Sequence, residues 1–305
     1  MKKQAGSLYI ILSAILFGTM PLLAKVAYAH GSNAYTVAFS RFLFGSIMLL
    51  AVICMLPGCS VKIDKYHMLE LLKLSVSYAL MPILLYTSYN YIDSGMATTL
   101  HFTYPVAVML IMVIFYKSRL EQKQVICAIL CLIGLSLLSS PDSHPSVFGI
   151  LLAVGSGIVY AVYIVLLGRS TAKDLHPLTL VFWLALFSAA EIGVVAFISG
   201  NLVFSVDGIG WVSEIGMALF TTVFALVLFQ RGLFLCGEIK ASLLSTFEPL
   251  TGILIGVVVF REILTPIKIL GIMGILVSVV ILVLPPGQSV EKEETYKSER
   301  EKENP

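Results

Sequence analysis

The groups in this sequence that could do chemistry are a few charged side chains set deep inside long apolar runs. Glu248 precedes Pro249 in one such run, and Arg231 follows Gln230 in the run before it. A carboxylate at the centre of a bilayer is costly unless it is paired or takes up a proton. An arginine there offers a charged donor that suits a substrate carboxylate. We therefore predict a coupling or gating role for Glu248 and a substrate-binding role for Arg231.

Each of these charges has a second interpretation that the sequence leaves open. Glu248 could pair permanently with Arg231 or cap backbone donors that the neighbouring proline frees. Arg231 could instead extend toward the cytoplasmic face, because long basic side chains snorkel. Two other charges in apolar runs are interpreted as structural. Glu191 is predicted to make an interhelical hydrogen bond, and Arg41, near the outer end of its run, is predicted to snorkel.

Two prolines, Pro105 and Pro249, lie near the middle of equivalent apolar runs. Proline removes one helical hydrogen bond and clashes with the carbonyl four residues earlier, which would free the carbonyls of His101 and Ser245. Irregular backbone at that depth must line protein or water, so matched interruptions indicate a transporter binding site. We predict that both prolines gate a cavity; two packing kinks are the alternative.

Polar and aromatic side chains gather in the runs around these prolines. Their ring faces suit the apolar or cationic parts of a small solute, and their hydroxyls supply hydrogen bonds. His101 has the alternative role of a satisfied partner between two helices. The predicted substrate-binding residues are Tyr78, Tyr86, Tyr89, Thr98, His101, Tyr104, Tyr160, Tyr163, Arg231 and Ser245.

The elements that must position these residues are membrane-spanning helices. Hydrophobic residues make up 58% of the 305 positions and charged residues 12%, which is about half the charge of a soluble domain. A span needs about 20 apolar residues, and we predict an all-α integral membrane protein with ten transmembrane helices. The ten runs are approximately Leu8–Tyr28, Thr36–Leu56, Leu69–Tyr91, Met96–Tyr116, Val125–Ser139, Val147–Leu167, Leu178–Ile198, Trp211–Leu235, Ala241–Phe260 and Ile267–Leu284.

The chain also repeats itself. Residues 6–25 lie over residues 149–168 with an offset of 143, and Ala97 aligns with Ala241 at an offset of 144. Since each copy holds five spans, the second copy must enter the bilayer upside down relative to the first. The predicted domains are two inverted five-helix repeats and a disordered cytoplasmic tail, at residues 1–141, 146–285 and 286–305.

The distribution of basic residues predicts the orientation. When Lys and Arg are assigned to alternate sides of the ten runs, one side collects 12 and the other 4, before the tail is added. Cytoplasmic loops carry the excess of basic residues. We therefore predict a multi-pass protein of the cell membrane with both termini in the cytoplasm.

Short motifs suggest a family. The first-helix motif of one transporter family is similar to the segment Phe17-Gly18-Thr19-Met20-Pro21 through Lys25. The second-repeat signature of the same family is similar to Glu248-Pro249, Phe260-Arg261-Glu262 and Gly271. With the span count and the duplication, the chain resembles the EamA family of the drug/metabolite transporter superfamily from Gly6 to Leu284.

This resemblance implies a bundle in which the first, third, fourth, sixth, eighth and ninth helices surround a central cavity. It also implies export of amino acids or other small metabolites. The first copy departs from the family pattern, because Ser118 stands where the second copy has Glu262. A role that requires both carboxylates is therefore not expected.

Together these features predict a secondary transporter that exports a small metabolite, such as an amino acid, by alternating access, with proton coupling left open. The alternatives are a membrane-embedded enzyme acting on a lipid-linked substrate, which would need clustered carboxylates, histidines or metal ligands, and a membrane scaffold. The sequence has no ATP-binding signature, and no cofactor, metal site or enzymatic activity is expected. The expected partners are a small-molecule substrate and the lipid bilayer, without nucleic acid; the oligomeric state stays open.

Overall fold

Apolar helices dominate the part of the chain that the computed structural model describes, residues 2–92, 94–138, 146–260 and 265–283. No β-strand occurs within those ranges. The α-helices are, in chain order, α1 (Lys2–Phe17), α2 (Met20–Ala29), α3 (Ala34–Met55), α4 (Lys65–Ser88), α5 (Ser94–His101), α6 (Tyr104–Tyr116), α7 (Gln122–Leu138), α8 (Val147–Arg169), α9 (Pro177–Ile198), α10 (Gly208–Met217), α11 (Leu226–Cys236), α12 (Glu238–Leu244), α13 (Phe247–Phe260) and α14 (Pro266–Val283).

The predicted all-α membrane fold is confirmed. In the described residues, nine stretches of helix are long and apolar enough to cross a membrane. The shorter apolar helix α7 has 17 residues, about 26 Å at the usual rise, slightly less than the hydrocarbon thickness. A count of ten spans therefore stays a prediction. The predicted tail at 286–305 and the motif residues Arg261 and Glu262 lie outside the described residues.

Three of the spans are broken near the middle. The first divides into α1 and α2, the fourth into α5 and α6, and the ninth into α12 and α13, each time with two residues between the half-helices. The eighth span is continuous but contains a π-helix, Ala218–Ala225, between α10 and α11. The sequence predicts the interruptions of the fourth and ninth spans, but not that of the first span or the π-helix.

The prolines follow these breaks instead of kinking a continuous helix. Pro105 is the second residue of α6, and Pro249 is the third residue of α13. In the first turn of a helix the amide has no intrahelical partner, so proline removes no helical hydrogen bond there. The Ser245 carbonyl is not free, because it accepts a hydrogen bond from the Glu248 backbone amide at 3.0 Å. The prediction of a freed Ser245 carbonyl is therefore wrong.

The two copies pack on each other in matched pairs. Helix α4 of the first copy packs along α8 of the second, and α11 of the second copy packs along α1 of the first. The other large contacts join equivalent helices, α3 with α9 and α7 with α14. Exchanging the copies therefore maps one contact onto another, which is the arrangement expected of an inverted repeat.

The connecting segments meet at two ends of the bundle. At the end where α1 begins, the Thr171 hydroxyl donates a hydrogen bond to Glu70 at 2.6 Å. At the other end, the Ser32 hydroxyl donates to Glu214 at 2.6 Å. We call these the N-terminal end and the distal end. At each end, a hydrogen bond from a hydroxyl to a carboxylate joins the two copies.

Candidate functional site

A buried arginine lies inside the bundle. Arg41 of α3 is 1% exposed, on the same face of that helix as the buried residues Val37 and Gly45. Its Nη1 atom lies 2.8 Å from the Met20 sulfur, and its Cζ atom lies 4.3 Å from the centre of the Phe42 ring. The Nε donor has no hydrogen-bond partner among the described residues. The prediction that Arg41 snorkels is therefore wrong, because the side chain points into the protein.

Glu248 is an acidic residue that interacts electrostatically with Arg41. It lies in the first turn of α13, directly after the break in the ninth span, and its side chain is partly accessible. The Arg41 guanidinium is close enough to attract the Glu248 carboxyl group. Opposite charges inside a protein attract more strongly than in water, so each offsets part of the cost of burying the other. We call Arg41 and Glu248 the charged centre.

Arg231 does not belong to the charged centre. Its neighbour Gln230 is fully buried, with its amide nitrogen 3.4 Å from the Tyr163 hydroxyl, whereas Arg231 itself is exposed. Successive helical residues point about 100° apart, so the two side chains of α11 face different surroundings. Within the described residues, the structure therefore shows no contact that supports the alternative pairing of Arg231 with Glu248, and the substrate-binding role of Arg231 stays a prediction. An exposed position fits the alternative of a snorkelling side chain.

Two predicted tyrosines contact the charged centre from α4. The Arg41 guanidinium interacts with the hydroxyls of Tyr78 and Tyr86. The Tyr86 hydroxyl also lies 3.3 Å from the Met20 sulfur. Because hydroxyls donate as well as accept, these two rings present polar atoms beside a cation without adding charge.

Two further predicted residues lie on the distal side of the charged centre. The Tyr89 hydroxyl lies 3.4 Å from the Thr98 hydroxyl, and the rings of Tyr86 and Tyr89 have their centres 5.9 Å apart. The side chains of Tyr89 and Thr98 are partly accessible, as is that of Glu248. Half-buried polar residues therefore lie beside the charged centre on its distal side.

A buried aromatic layer lies on the side of the N-terminal end. We define it as six side chains, each at most 8% exposed: Tyr78, His101, Tyr104, Tyr160, Tyr163 and Phe229. The ring centres of Tyr78 and Tyr163 are 4.6 Å apart, and those of Tyr104 and Tyr160 are 4.8 Å apart. Such tilted and edge-on contacts are favourable for aromatic rings. The predicted substrate residues thus divide into an accessible group and a packed layer.

His101 and Ser245 also occupy buried positions. The His101 Nδ1 atom lies 2.9 Å from the Ser156 hydroxyl, and its ring stacks 5.6 Å from that of Tyr160. This contact matches the alternative role of His101 as a satisfied partner between helices. The Ser245 hydroxyl donates to the Ala241 carbonyl at 3.0 Å and also interacts with Tyr104.

Two glycines let the broken helices approach the other copy closely. A Cβ atom on Gly157 of α8 would lie 2.6 Å from the His101 carbonyl oxygen. A Cβ atom on Gly18, in the break of the first span, would lie 2.7 Å from the Glu248 carbonyl oxygen. Both distances are too short for a side chain. Each break in the fourth or ninth span is therefore held against the first helix of the opposite copy.

We expect Gly157→Ala to destabilise the protein by about 1–3 kcal/mol, because the new methyl group overlaps a backbone oxygen that cannot rotate away. Thermal unfolding in detergent measures the change. Gly155→Ala is the matched control on the same helix, since its Cβ would meet only the Leu84 side chain, at 3.9 Å. Equal unfolding temperatures for the two variants would contradict this close packing.

Arg41 is the main site residue that sequence reasoning missed. The spacing of Val37, Arg41 and Gly45 places them on one helical face, and the neighbours Ala38 and Phe42 widen the same face. That pattern was the available signal, but it does not tell which face of an apolar span is buried. Across the described ranges, no three His, Cys, Asp or Glu residues come close enough together to hold a metal ion.

Comparison with known proteins identifies the family to which the chain belongs. The model of the EamA-like transporter family matches residues 4–140 and 147–284. An uncharacterized transporter from Archaeoglobus fulgidus is 29% identical over 90% of this chain and 95% of its own length. The threonine/homoserine exporter RhtA of Escherichia coli is 27% identical over 77% of each chain. A crystal structure with 15% sequence identity matches 90% of this chain and 95% of its own with a TM-score of 0.76, which establishes a shared fold.

Proposed function

Because the chain belongs to the EamA-like transporter family, we propose that it exports a small zwitterionic metabolite of the amino-acid type by alternating access. The observation that carries this proposal is the charged centre. Arg41 has an Nε donor without a hydrogen-bond partner among the described residues, and Glu248, a half-buried residue, interacts with the guanidinium electrostatically. A zwitterion carries one group for each: its carboxylate suits the guanidinium, and its ammonium suits the carboxylate.

The surroundings of the charged centre support a small substrate. Tyr86, Tyr89 and Thr98 offer hydroxyls on its distal side, and the buried aromatic layer packs on the side of the N-terminal end. A relative that is named as a threonine/homoserine exporter agrees with such a substrate. The Lys and Arg count favours an extracellular distal end, with both termini in the cytoplasm of a cell membrane.

Alternating access is supported by the repeated contacts. The half-helices of the fourth and ninth spans end at equivalent places, and each contacts the opposite copy through a glycine. Pro105 and Pro249, at the starts of α6 and α13, remain our proposed gating positions, since the breaks before them supply hinges for half-helix movement. In the second access state the aromatic layer would open and the distal side would close.

Proton coupling through Glu248 is part of the proposal. A carboxylate that faces Arg41 when the site is empty must change partner when a substrate carboxylate approaches the same guanidinium. The new partner is the substrate ammonium, and uptake of a proton by Glu248 would remove the negative charge that holds it, so proton and substrate would compete for Glu248. The order of these steps would couple movement of the substrate to movement of a proton.

The direct test is L-threonine and L-homoserine counterflow in proteoliposomes that contain the purified full-length chain. We expect labelled threonine to accumulate when unlabelled threonine is trapped inside, and protein-free liposomes supply the background. An absence of counterflow with any proteinogenic amino acid would refute the substrate class while leaving the family membership in place.

Cysteine accessibility tests the division between the accessible side and the packed layer. Thr98 is partly accessible, whereas Ser242 is 0% exposed and donates to the Ile239 carbonyl at 2.9 Å. In a background without the five native cysteines, a polar thiol reagent should modify Thr98→Cys at least ~10-fold faster than Ser242→Cys, since a buried thiol reacts only through opening. L-threonine should slow the reaction at Thr98→Cys. Equal rates at the two positions would contradict this arrangement.

A further inference from the structure

An apolar groove lies between α6 and α7, in the half of the bundle next to the N-terminal end. It has a volume of about 220 Å³, and all eight side chains that line it are apolar. Three of them come from α6, four from α7, and Leu120 comes from the loop that joins these helices. An apolar cavity of about 150 Å³ already accepts a guest the size of benzene. The groove therefore has room for a hydrocarbon segment and no polar group to bind anything else.

The depth of the groove places it beside the acyl chains of one leaflet. Its lining residues in α6 lie about 9–15 Å from the end of that helix, and those in α7 lie about 5–15 Å from the start of theirs. The hydrocarbon core is about 30 Å thick, so the groove stays in the half that adjoins the N-terminal end. Leu110 and Ile129 are 55% and 51% exposed at its edges, so it opens toward lipid.

The groove forms because two consecutive helices pack on different partners. Helix α6 packs along α8, whereas α7 packs along α14. Between α6 and α7, the buried residue Ala128 supplies only a methyl group. At the offset of 144 its counterpart in the second copy is Ile272. The first copy therefore leaves space at a position where the second copy has a larger, branched side chain.

Basic residues lie close to the mouth of the groove. The loop that contributes Leu120 also carries Lys117 and Arg119, and both are exposed. Lys123, in the first turn of α7, pairs with Glu121 at 3.0 Å, whereas Lys117 and Arg119 belong to no ion pair of the described residues. Anionic headgroups are attracted to basic side chains at the membrane surface. The chain thus places two available cations above an apolar groove.

We propose that this groove binds one acyl chain of an anionic glycerophospholipid, whose phosphate lies beside Lys117 and Arg119. The apolar lining accepts the chain, and the guanidinium and ammonium groups suit the phosphate. A helix of a second copy does not fit, because a helix with its side chains is about 10–12 Å across, too wide for a space of this volume. An acyl chain is a single file of methylene groups. The proposal does not depend on which substrate the protein transports.

Native mass spectrometry of the purified full-length protein in detergent tests the headgroup contact. We expect dioleoyl phosphatidylglycerol to bind at least ~5-fold more tightly than dioleoyl phosphatidylcholine, which has the same chains without net charge. Lys117→Gly combined with Arg119→Gln should remove this preference. Glycine suits position 117, where φ is 51°. Lys62→Gln combined with Lys65→Gln removes the same charge from exposed positions near the start of α4 and should keep the preference.

Ala128→Ile tests the acyl-chain contact, because it gives the first copy the side chain that the second copy has. It should weaken the binding of dioleoyl phosphatidylglycerol at least ~10-fold, since the chain loses buried apolar contacts. Dihexanoyl phosphatidylglycerol, with the same headgroup on short chains, should bind the unmodified protein at least ~10-fold more weakly. Thermal unfolding without lipid verifies that the variant is folded.

Three results would overturn the proposal. Equal binding of the two dioleoyl lipids would indicate ordinary lipid contact without a headgroup site. Equal binding of the dioleoyl and dihexanoyl forms would indicate that the headgroup alone is bound. Unchanged binding in a folded Ala128→Ile variant would place the lipid outside the groove. The two lipid comparisons use the unmodified protein, so they decide the proposal even where Ala128→Ile fails to fold.

Discussion

Replacement of Arg41 by methionine is expected to lower L-threonine counterflow at least ~100-fold. Methionine keeps an unbranched chain of similar reach but cannot donate to a carboxylate. Two hydrogen bonds to a charged group contribute about 3 kcal/mol, and every 1.4 kcal/mol corresponds to about tenfold in affinity. Initial rates of counterflow in proteoliposomes, at equal protein density, measure the effect.

Arg231→Met is the matched control for this substitution. Arg231 is exposed on α11, so its replacement should change the rate less than ~2-fold. The double variant Arg41→Met with Glu248→Gln separates folding from binding, because removing both charges avoids an unpaired buried carboxylate. It should unfold at a higher temperature than Arg41→Met alone and remain inactive. Loss of counterflow in Arg231→Met, with retention in Arg41→Met, would indicate that Arg231 binds the substrate.

Glu248→Gln is expected to abolish amino-acid accumulation driven by a pH gradient while threonine exchange continues. Glutamine keeps the shape and a hydrogen-bonding oxygen but cannot bind or release a proton. Exchange needs only the two access states and a site in which the glutamine oxygen can still accept a hydrogen bond from the substrate ammonium, whereas accumulation needs a coupled ion. Proteoliposomes with an imposed pH difference measure accumulation, and counterflow at equal pH on both sides measures exchange.

Glu191→Gln is the control for the Glu248 experiment. The Glu191 carboxylate accepts a hydrogen bond from the Ser75 hydroxyl at 2.7 Å, as predicted for an interhelical partner, and lies apart from the charged centre. Its replacement should leave accumulation driven by the pH gradient in place. Unchanged accumulation in Glu248→Gln would remove Glu248 as the coupling acid, and loss in both variants would indicate a general defect.

The fold could be predicted from the sequence because a bilayer permits few alternatives. Apolar runs of about 20 residues must form helices, and an internal repeat with an odd number of spans must invert. Pro105 and Pro249 marked two broken spans correctly to within a few residues. The first span breaks at Gly18 and Thr19, and Pro21 is the second residue of α2 as Pro105 is of α6, so the same signal was present there but was not interpreted as a break.

The site was harder to predict, because an apolar span does not show which face is buried. Arg41 and Arg231 both interrupt apolar runs, and only packing decides that the first points inward and the second outward. Glu248 was identified because a proline marks its position.

The π-helix of the eighth span accounts for a difference of one residue in length between the two copies. Asp64 and Asp207 cap equivalent helices 143 residues apart, whereas Ala97 and Ala241 are 144 apart. The segment Ala218–Ala225 lies between these points in the second copy. A π-turn spans one residue more than an α-turn, so this segment is the natural place for the extra residue.

Buried positions on either side of the π-helix correspond between the two copies, with an offset that is one residue longer after it. Before the π-helix, buried Met217 corresponds to buried Leu74 at the shorter offset. After it, buried Gln230 corresponds to buried Tyr86 at the longer one. An uncorrected insertion would have rotated every later side chain by about 100°. The one-residue difference between the copies is thus absorbed as a wide turn. Because the two halves are not interchangeable in register, the two access states have no symmetry reason to be equally populated.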